Sequence, residues 1–158
     1  MVQSVADRPR FTLDANLLVY SVDSAAGVRH DLAGRIVLRA ARHDCLLALQ
    51  AVSEFYAVVT RKRIMPRDIA AARANDWLVA FPCAVASAGA VRAALADSVA
   101  GRASYWDALL VATAAEAGCT LILSEDMADG STLGGVEIHN PFTRTGQLTA
   151  RTRRLLDP

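Results

Sequence analysis

Short apolar runs alternate along this chain with longer segments whose apolar residues recur every three or four positions. Phe11 to Leu13, Cys45 to Leu49, Cys83 to Ala86, Leu121 to Leu123 and Val136 to His139 have the length and aliphatic content of buried strands. The stretches between them carry helical spacing. Asn16 to Tyr20 opens one helix, and Leu32 to Arg42 forms a second with Leu32, Ile36, Val37 and Ala40 on one face. A third runs from about Val52 to Arg63. Pro66 opens a fourth, which continues to Phe81 and is stopped by Pro82. Ala90 to Val99 is a fifth and Tyr105 to Ala117 a sixth, with Gly118 placed for a left-handed cap. Strands alternating with helices predict an α/β fold: a mainly parallel central sheet of about five strands, flanked by helices.

The length of 158 residues suits one domain that buries roughly 70% of its unfolded surface. Hydrophobic residues are 53% of the chain and charged ones 21%, the profile of a folded domain rather than a disordered one. The pattern divides it into a flexible N-terminal arm over 1–10, a folded domain over 11–142 and a mobile basic tail over 143–158. The arm has no apolar core of a signal peptide, and no apolar stretch approaches the ~18 residues of a membrane span. Cys45, Cys83 and Cys119 are an odd number at the edges of apolar runs, as expected of reduced thiols in a cytoplasmic protein. The net charge of +1 selects no partner. Its basic residues gather at Arg61, Lys62 and Arg63 and again at Arg144, Arg151, Arg153 and Arg154, two clusters suited either to phosphate contact or to solvated helix ends.

The acids carry the chemistry. In a parallel α/β sheet the strand C-termini and helix N-termini share one edge, where ligands bind. Asp14 follows the first strand, and Glu54 is expected in the first turn of the helix after the second. Asp107 lies in the first turn of the helix leading into the fourth strand, and Asp126 follows that strand. All four are therefore expected at one edge. A pair of like charges ~4 Å apart costs up to about 4 kcal/mol at an effective dielectric of ~20, so such a cluster needs a compensating cation. Oxygen donors favour a hard divalent ion, Mg²⁺ or Mn²⁺, and carboxylate-held metal with water in its open positions is the chemistry of phosphodiester hydrolysis. His30, His43 and His139 are scattered and offer no competing cluster.

Each acid also has a plainer explanation. Asp14 suits a helix cap, Glu54 a helix dipole, Ser104-Tyr105-Trp106-Asp107 a capping box, and Asp126 a turn. None explains why the four meet at one edge. Two other functions share parts of the pattern. An aspartyl-nucleophile phosphatase also has an Asp after its first strand, but it wants a second Asp where Asn16 stands and a lysine late in the fold. The one lysine, Lys62, follows the second strand, and a signalling receiver domain fails on the same count. A binding module whose acids clamp an arginine-rich partner is the non-enzymatic alternative.

Four segments also carry a resemblance. Leu13-Asp14-Ala15-Asn16-Leu17-Leu18-Val19-Tyr20 resembles the opening motif of PIN domains. Ser53-Glu54-Phe55-Tyr56, Ser104-Tyr105-Trp106-Asp107-Ala108-Leu109-Leu110 and Leu123-Ser124-Glu125-Asp126-Met127 resemble the remaining motifs, in the same order. The likeness covers roughly Phe11 to Phe142 and is nearest to the VapC-type toxins of toxin–antitoxin modules. It implies a Rossmann-like PIN domain, Mg²⁺- or Mn²⁺-dependent cleavage of RNA, a homodimer, and a small co-encoded antitoxin that blocks the site. It assigns Asp14, Glu54, Asp107 and Asp126 to the catalytic metal site, with Asn16 and Ser124 in support. Glu125 and Asp129 lie beside the last motif, either as outer groups of the site or, the favoured reading, as solvated acids. The tail beyond Phe142 falls outside the resemblance. The RNA sequence cut is not encoded in any readable motif.

Overall fold

A computed structural model describes residues 8–157. Most of the arm expected over 1–10 thus lies outside the described residues. The strands are β1 (Phe11–Leu13), β2 (Cys45–Ala48), β3 (Cys83–Ala84), β4 (Leu121–Leu123), β5 (Thr132–Leu133) and β6 (Val136–His139). The helices are α1 (Ala15–Tyr20), α2 (Val28–Ala40), α3 (Leu49–Arg61), α4 (Arg67–Ala80), α5 (Ala88–Val99), α6 (Tyr105–Glu116) and α7 (Ala150–Leu156). The sheet order is β3-β2-β1-β4-β6-β5, parallel throughout except for the β5–β6 pair. The α/β class and mainly parallel sheet follow the alternation in the sequence, with six strands rather than about five. The extra one, β5, is only two residues long and closes on β6 through Gly134 and Gly135, whose φ values of 56° and 79° suit a two-residue hairpin.

Period-two alternation in the strands feeds two cores. Phe11, Leu13, Cys45, Leu47, Leu121 and Leu123 pack with α1 to α4 and α7. Leu46, Ala48, Ile122, Val136 and Ile138 face the other way, onto Leu110, Val111 and Ala114 of α6. α5 covers the outside of α6. Strands buried on both faces need apolar residues at every position, which is why β1, β2 and β4 read as unbroken runs. Thr12 is the buried exception, and its hydroxyl donates to the Leu46 carbonyl at 2.7 Å.

Several boundaries differ from the sequence expectation. α2 begins at Val28 rather than Leu32, because its first turn, Val28 to Asp31, holds no buried apolar residue to mark it in the sequence. α3 begins at Leu49 rather than near Val52, because the helix follows β2 without an intervening loop inside one apolar run. Residues after Phe142 were expected to be a mobile tail and are instead folded. Thr149 caps α7 by accepting from the Thr152 amide at 3.1 Å, and Leu155 and Leu156 enter the larger core. Arg151 binds Glu137, Arg39 pairs with Asp157, and the Leu156 carbonyl meets His43 Nε2 at 2.9 Å. Part of the basic cluster is thus structural.

β1 sits where the chain reverses direction across the sheet: β2 follows on one flank and β4 on the other. Such a switch point opens a crevice at the carboxyl ends of the strands.

Candidate active site

The crevice holds a cavity of about 280 Å³ lined by all four predicted acids, Asp14, Glu54, Asp107 and Asp126. Asn16, Tyr20 and Lys62 share its wall. Each reaches it by a simple local rule. Asp14 is the first residue past β1, and its backbone amide still pairs with the Leu123 carbonyl at 3.0 Å. Asn16 and Tyr20 are four apart on α1. Glu54, Val58 and Lys62 line the cavity at i, i+4 and i+8 along and just beyond α3. Glu54 lies in the second turn of α3, not the first as the late helix start implied, and still faces the cavity. Asp107 is in the first turn of α6, as expected.

Asp14 is the buried member, 9% exposed. One carboxylate oxygen accepts from the Ala15 amide at 2.7 Å and the other from the Ser124 hydroxyl at 2.7 Å. Asn16 Nδ2 stands 3.4 Å from both Asp14 Oδ2 and Ser124 Oγ. Ser124 Oγ in turn accepts from the Met127 amide at 3.2 Å, which fixes the hydroxyl toward Asp14. Burial pushes the Asp14 carboxyl up to about 6. The Ser124 and Ala15 hydrogen bonds pull it down, and the charges of Asp107 and Glu54 push it up again. The carboxylate is therefore positioned at a cost in solvation and repulsion.

The plainer explanations fare unevenly. Asp14 does meet the first amide of α1. Ser104 caps α6 by accepting from the Asp107 amide at 3.2 Å, but the Asp107 carboxylate makes no return bond among the described residues. The Asp126 carboxylate also has no hydrogen-bond partner among the described residues. Glu54 accepts only from Gln50 Nε2, at 2.8 Å. Three carboxylates thus keep most of their lone pairs free in one cavity.

The donor set suits a hard divalent cation: the acids offer only oxygen, and Asn16 Oδ1 is enclosed without a donor. Among the described residues no three His, Cys, Asp or Glu side chains are clustered tightly enough to cage an ion by themselves. Water would fill the remaining positions, as magnesium sites commonly require.

The outer groups divide differently. Glu125 turns away from the cavity to Arg29 at 2.6 Å and to the Tyr20 hydroxyl at 3.3 Å. Burial raises the Tyr20 phenol above its usual range, and the charges of Glu125 and Asp126 raise it further. Asp129 is exposed and accepts from the Asn140 amide at 2.8 Å. Neither acid lines the cavity. Lys62 does, a placement beside the acids that its basic cluster does not reveal and its i+8 spacing from Glu54 does. The histidines are occupied elsewhere, His139 by Thr149 and Thr152.

No helix among the described residues is long and apolar enough to cross a membrane. No family model matches the sequence, and a search of curated proteins finds no match. Among solved structures, the fold is similar to a chain in the crystal structure of VapBC2 from Rickettsia felis bound to a DNA fragment from their promoter. That chain is 12% identical, with a TM-score of 0.58, over 82% of this chain and 97% of the other. At that identity the likeness establishes a shared α/β architecture and nothing finer.

Proposed function

We propose that this chain is a metal-dependent endoribonuclease and the toxin of a toxin–antitoxin pair. The observation that carries the reading is the meeting of Asp14, Glu54, Asp107 and Asp126 in one cavity at the switch point of a parallel sheet. The four motifs that resemble PIN domains supply the substrate class, and the similar fold in a VapBC2 structure supports the pairing with an antitoxin.

Asp14, Glu54, Asp107 and Asp126 would hold Mg²⁺ or Mn²⁺. When bound, such an ion lowers the pKa of an attacking water and stabilises charge on the phosphoryl oxygens. The chain's own groups do the positioning. Ser124 and the Ala15 amide fix the Asp14 carboxylate by two short hydrogen bonds, so little rotamer freedom is lost when it takes up its role. Lys62 puts a cation on the wall opposite in charge to the acids, where a backbone phosphate can pair with it. Lys62→Ala should weaken binding of single-stranded RNA and flatten its salt dependence by about 0.7 in the log–log slope, the share of one phosphate contact. Filter binding across a salt series checks this.

With water as nucleophile, the 2′-hydroxyl takes no part. Cleavage of labelled RNA in Mn²⁺ should leave 5′-phosphate and 3′-hydroxyl ends and should stop in EDTA. Finding 2′,3′-cyclic phosphate ends, or undiminished cutting in chelator, rejects the mechanism.

Two partners belong to the reading. A second copy of the chain has apolar surface available at Ile69, Leu78, Val79, Leu95 and Val99 on α4 and α5, and sedimentation should give a dimer. The antitoxin should block the cavity with an Arg or Lys side chain among the acids.

The placement of Lys62 in the cavity favours a second reading, phosphomonoester hydrolysis with Asp14 as nucleophile, because it puts a lysine in the same cavity as that carboxylate. Asn16 still stands where that chemistry wants a second acid. Turnover of p-nitrophenyl phosphate with no RNA cleavage would select the phosphatase.

A further inference from the structure

A second cavity, of about 500 Å³, opens between α3 and α6 and is lined by Gln50, Ser53, Glu54, Ala57, Trp106 and Leu109. Glu54 lines both this cavity and the acid-lined one, so the two are adjacent across a single side chain. Trp106 is 60% exposed, a large apolar surface left in water at the start of a helix that is buried from Ala108 to Val111. Tyr105 packs edge-on against it at 5.0 Å. Gln50 ties the two walls together, donating through Nε2 to Glu54 at 2.8 Å and to the Trp106 carbonyl at 2.9 Å. Its Oε1 is enclosed and has no donor.

We propose that this cavity is a nucleobase subsite, in which an unpaired base next to the scissile phosphate stacks on Trp106. The inference rests on the ribonuclease reading. An exposed indole beside an apolar floor at Ala57 and Leu109 is what the flat face of an unpaired base requires. Position decides between this occupant and others. Whatever sits here lies one side chain from the acid-lined cavity, and the base attached to a phosphate paired there with Lys62 is the group that chain connectivity brings to it. Double-stranded RNA keeps its bases stacked and cannot supply one, so cleavage is confined to single-stranded regions.

The test uses the full chain without divalent metal, so that binding is read without cutting. Trp77 is buried, which leaves Trp106 as the solvent-facing fluorophore of the two tryptophans. Short single-stranded oligoribonucleotides should quench it saturably, and an abasic residue at one position should abolish the quenching. Trp106→Ala should weaken binding about five- to hundredfold, the range of base–aromatic stacking, and Trp106→Phe should restore most of it. Equal RNA affinity for Trp106→Ala and wild type overturns the subsite. So does a Trp106→Ala protein that binds RNA normally but loses dimerisation or antitoxin binding, because the cavity then belongs to a protein partner. If wild type cuts RNA in Mn²⁺ and Trp106→Ala cuts the same sites at the same KM, the subsite alone falls. If wild type neither binds nor cuts RNA, the ribonuclease reading falls first.

Discussion

Asp14→Asn should remove RNA cleavage by at least about a hundredfold while leaving the metal-free protein as stable as wild type, or more stable, at neutral pH. The activity estimate is a lower bound, since even groups that merely orient a metal ligand are worth 10–100-fold. The stability estimate follows from the burial of the carboxylate. Its folded value of about 6 lies above the 3.8 of an unburied aspartate, so between those pH values the native state binds more protons than the unfolded one. Stability therefore falls as pH rises through that window, and the loss is complete above about pH 6. At ~1.36 kcal/mol per unit, charging Asp14 costs on the order of 3 kcal/mol as an upper bound. Asn escapes that cost but must turn an amide toward Ser124 and Asn16, which gives part of the gain back. The variant should gain between zero and about 3 kcal/mol, roughly 0–10 °C in melting temperature at ~2–4 °C per kcal/mol. It should also lose the decline between pH 4 and 6. Thermal melts across pH in EDTA check both. A variant that still cuts RNA at near wild-type rate, with stability changed by no more than a few tenths of a kcal/mol, would assign Asp14 to capping α1, because Asn and Asp cap about equally.

The second large effect lies far from the cavity. Leu156→Ala should destabilise the protein by about 2–5 kcal/mol, lowering its melting temperature by roughly 5–15 °C. Leu156 is 2% exposed and belongs to the core that also contains Ile36 and Phe142. Removing residues 149–158 deletes Leu155 as well and strips Glu137 of Arg151, so the truncated chain should not fold stably. A freely moving tail would tolerate both changes, and an unaltered melt for Leu156→Ala would show that α7 is not docked.

The strands and the edge they share were legible in the sequence because burial on both faces writes itself as apolar runs, and because acids just after strands stand out against them. Asp14, Asp107 and Asp126 needed only that rule. Glu54 was found for a partly wrong reason: a helix that begins inside an apolar run has no visible start, so the residue was expected one turn too early. α7 was hidden because four arginines in the last fifteen residues looked like a solvated tail. Its signal was present in Thr149 and Thr152 at cap spacing, followed by Leu155 and Leu156. β5 was too short for periodicity to detect, yet Gly134-Gly135 marked its turn. Lys62 stands in a basic cluster suited either to phosphate contact or to a solvated helix end, and only its i+8 spacing from Glu54 places it in the cavity. Contacts such as Ser124 to Asp14 join residues 110 apart, and no local pattern reports them.

The central claim is that Asp14, Glu54, Asp107 and Asp126 act together as one divalent-metal site. Titration of Mn²⁺ followed by the spin-resonance signal of the free ion tests it directly, on wild type and on Asp14→Asn, Glu54→Gln, Asp107→Asn and Asp126→Asn. Wild type should take up Mn²⁺ saturably, and at a hundredfold excess over Kd it should gain about 2.7 kcal/mol of stability. Each of the four variants should bind the ion more weakly while remaining folded, whereas Asp129→Asn, whose carboxylate lies outside the cavity, should bind as wild type does. Wild-type protein that leaves the free-ion signal unchanged, or four variants that bind as tightly as wild type, would contradict the account.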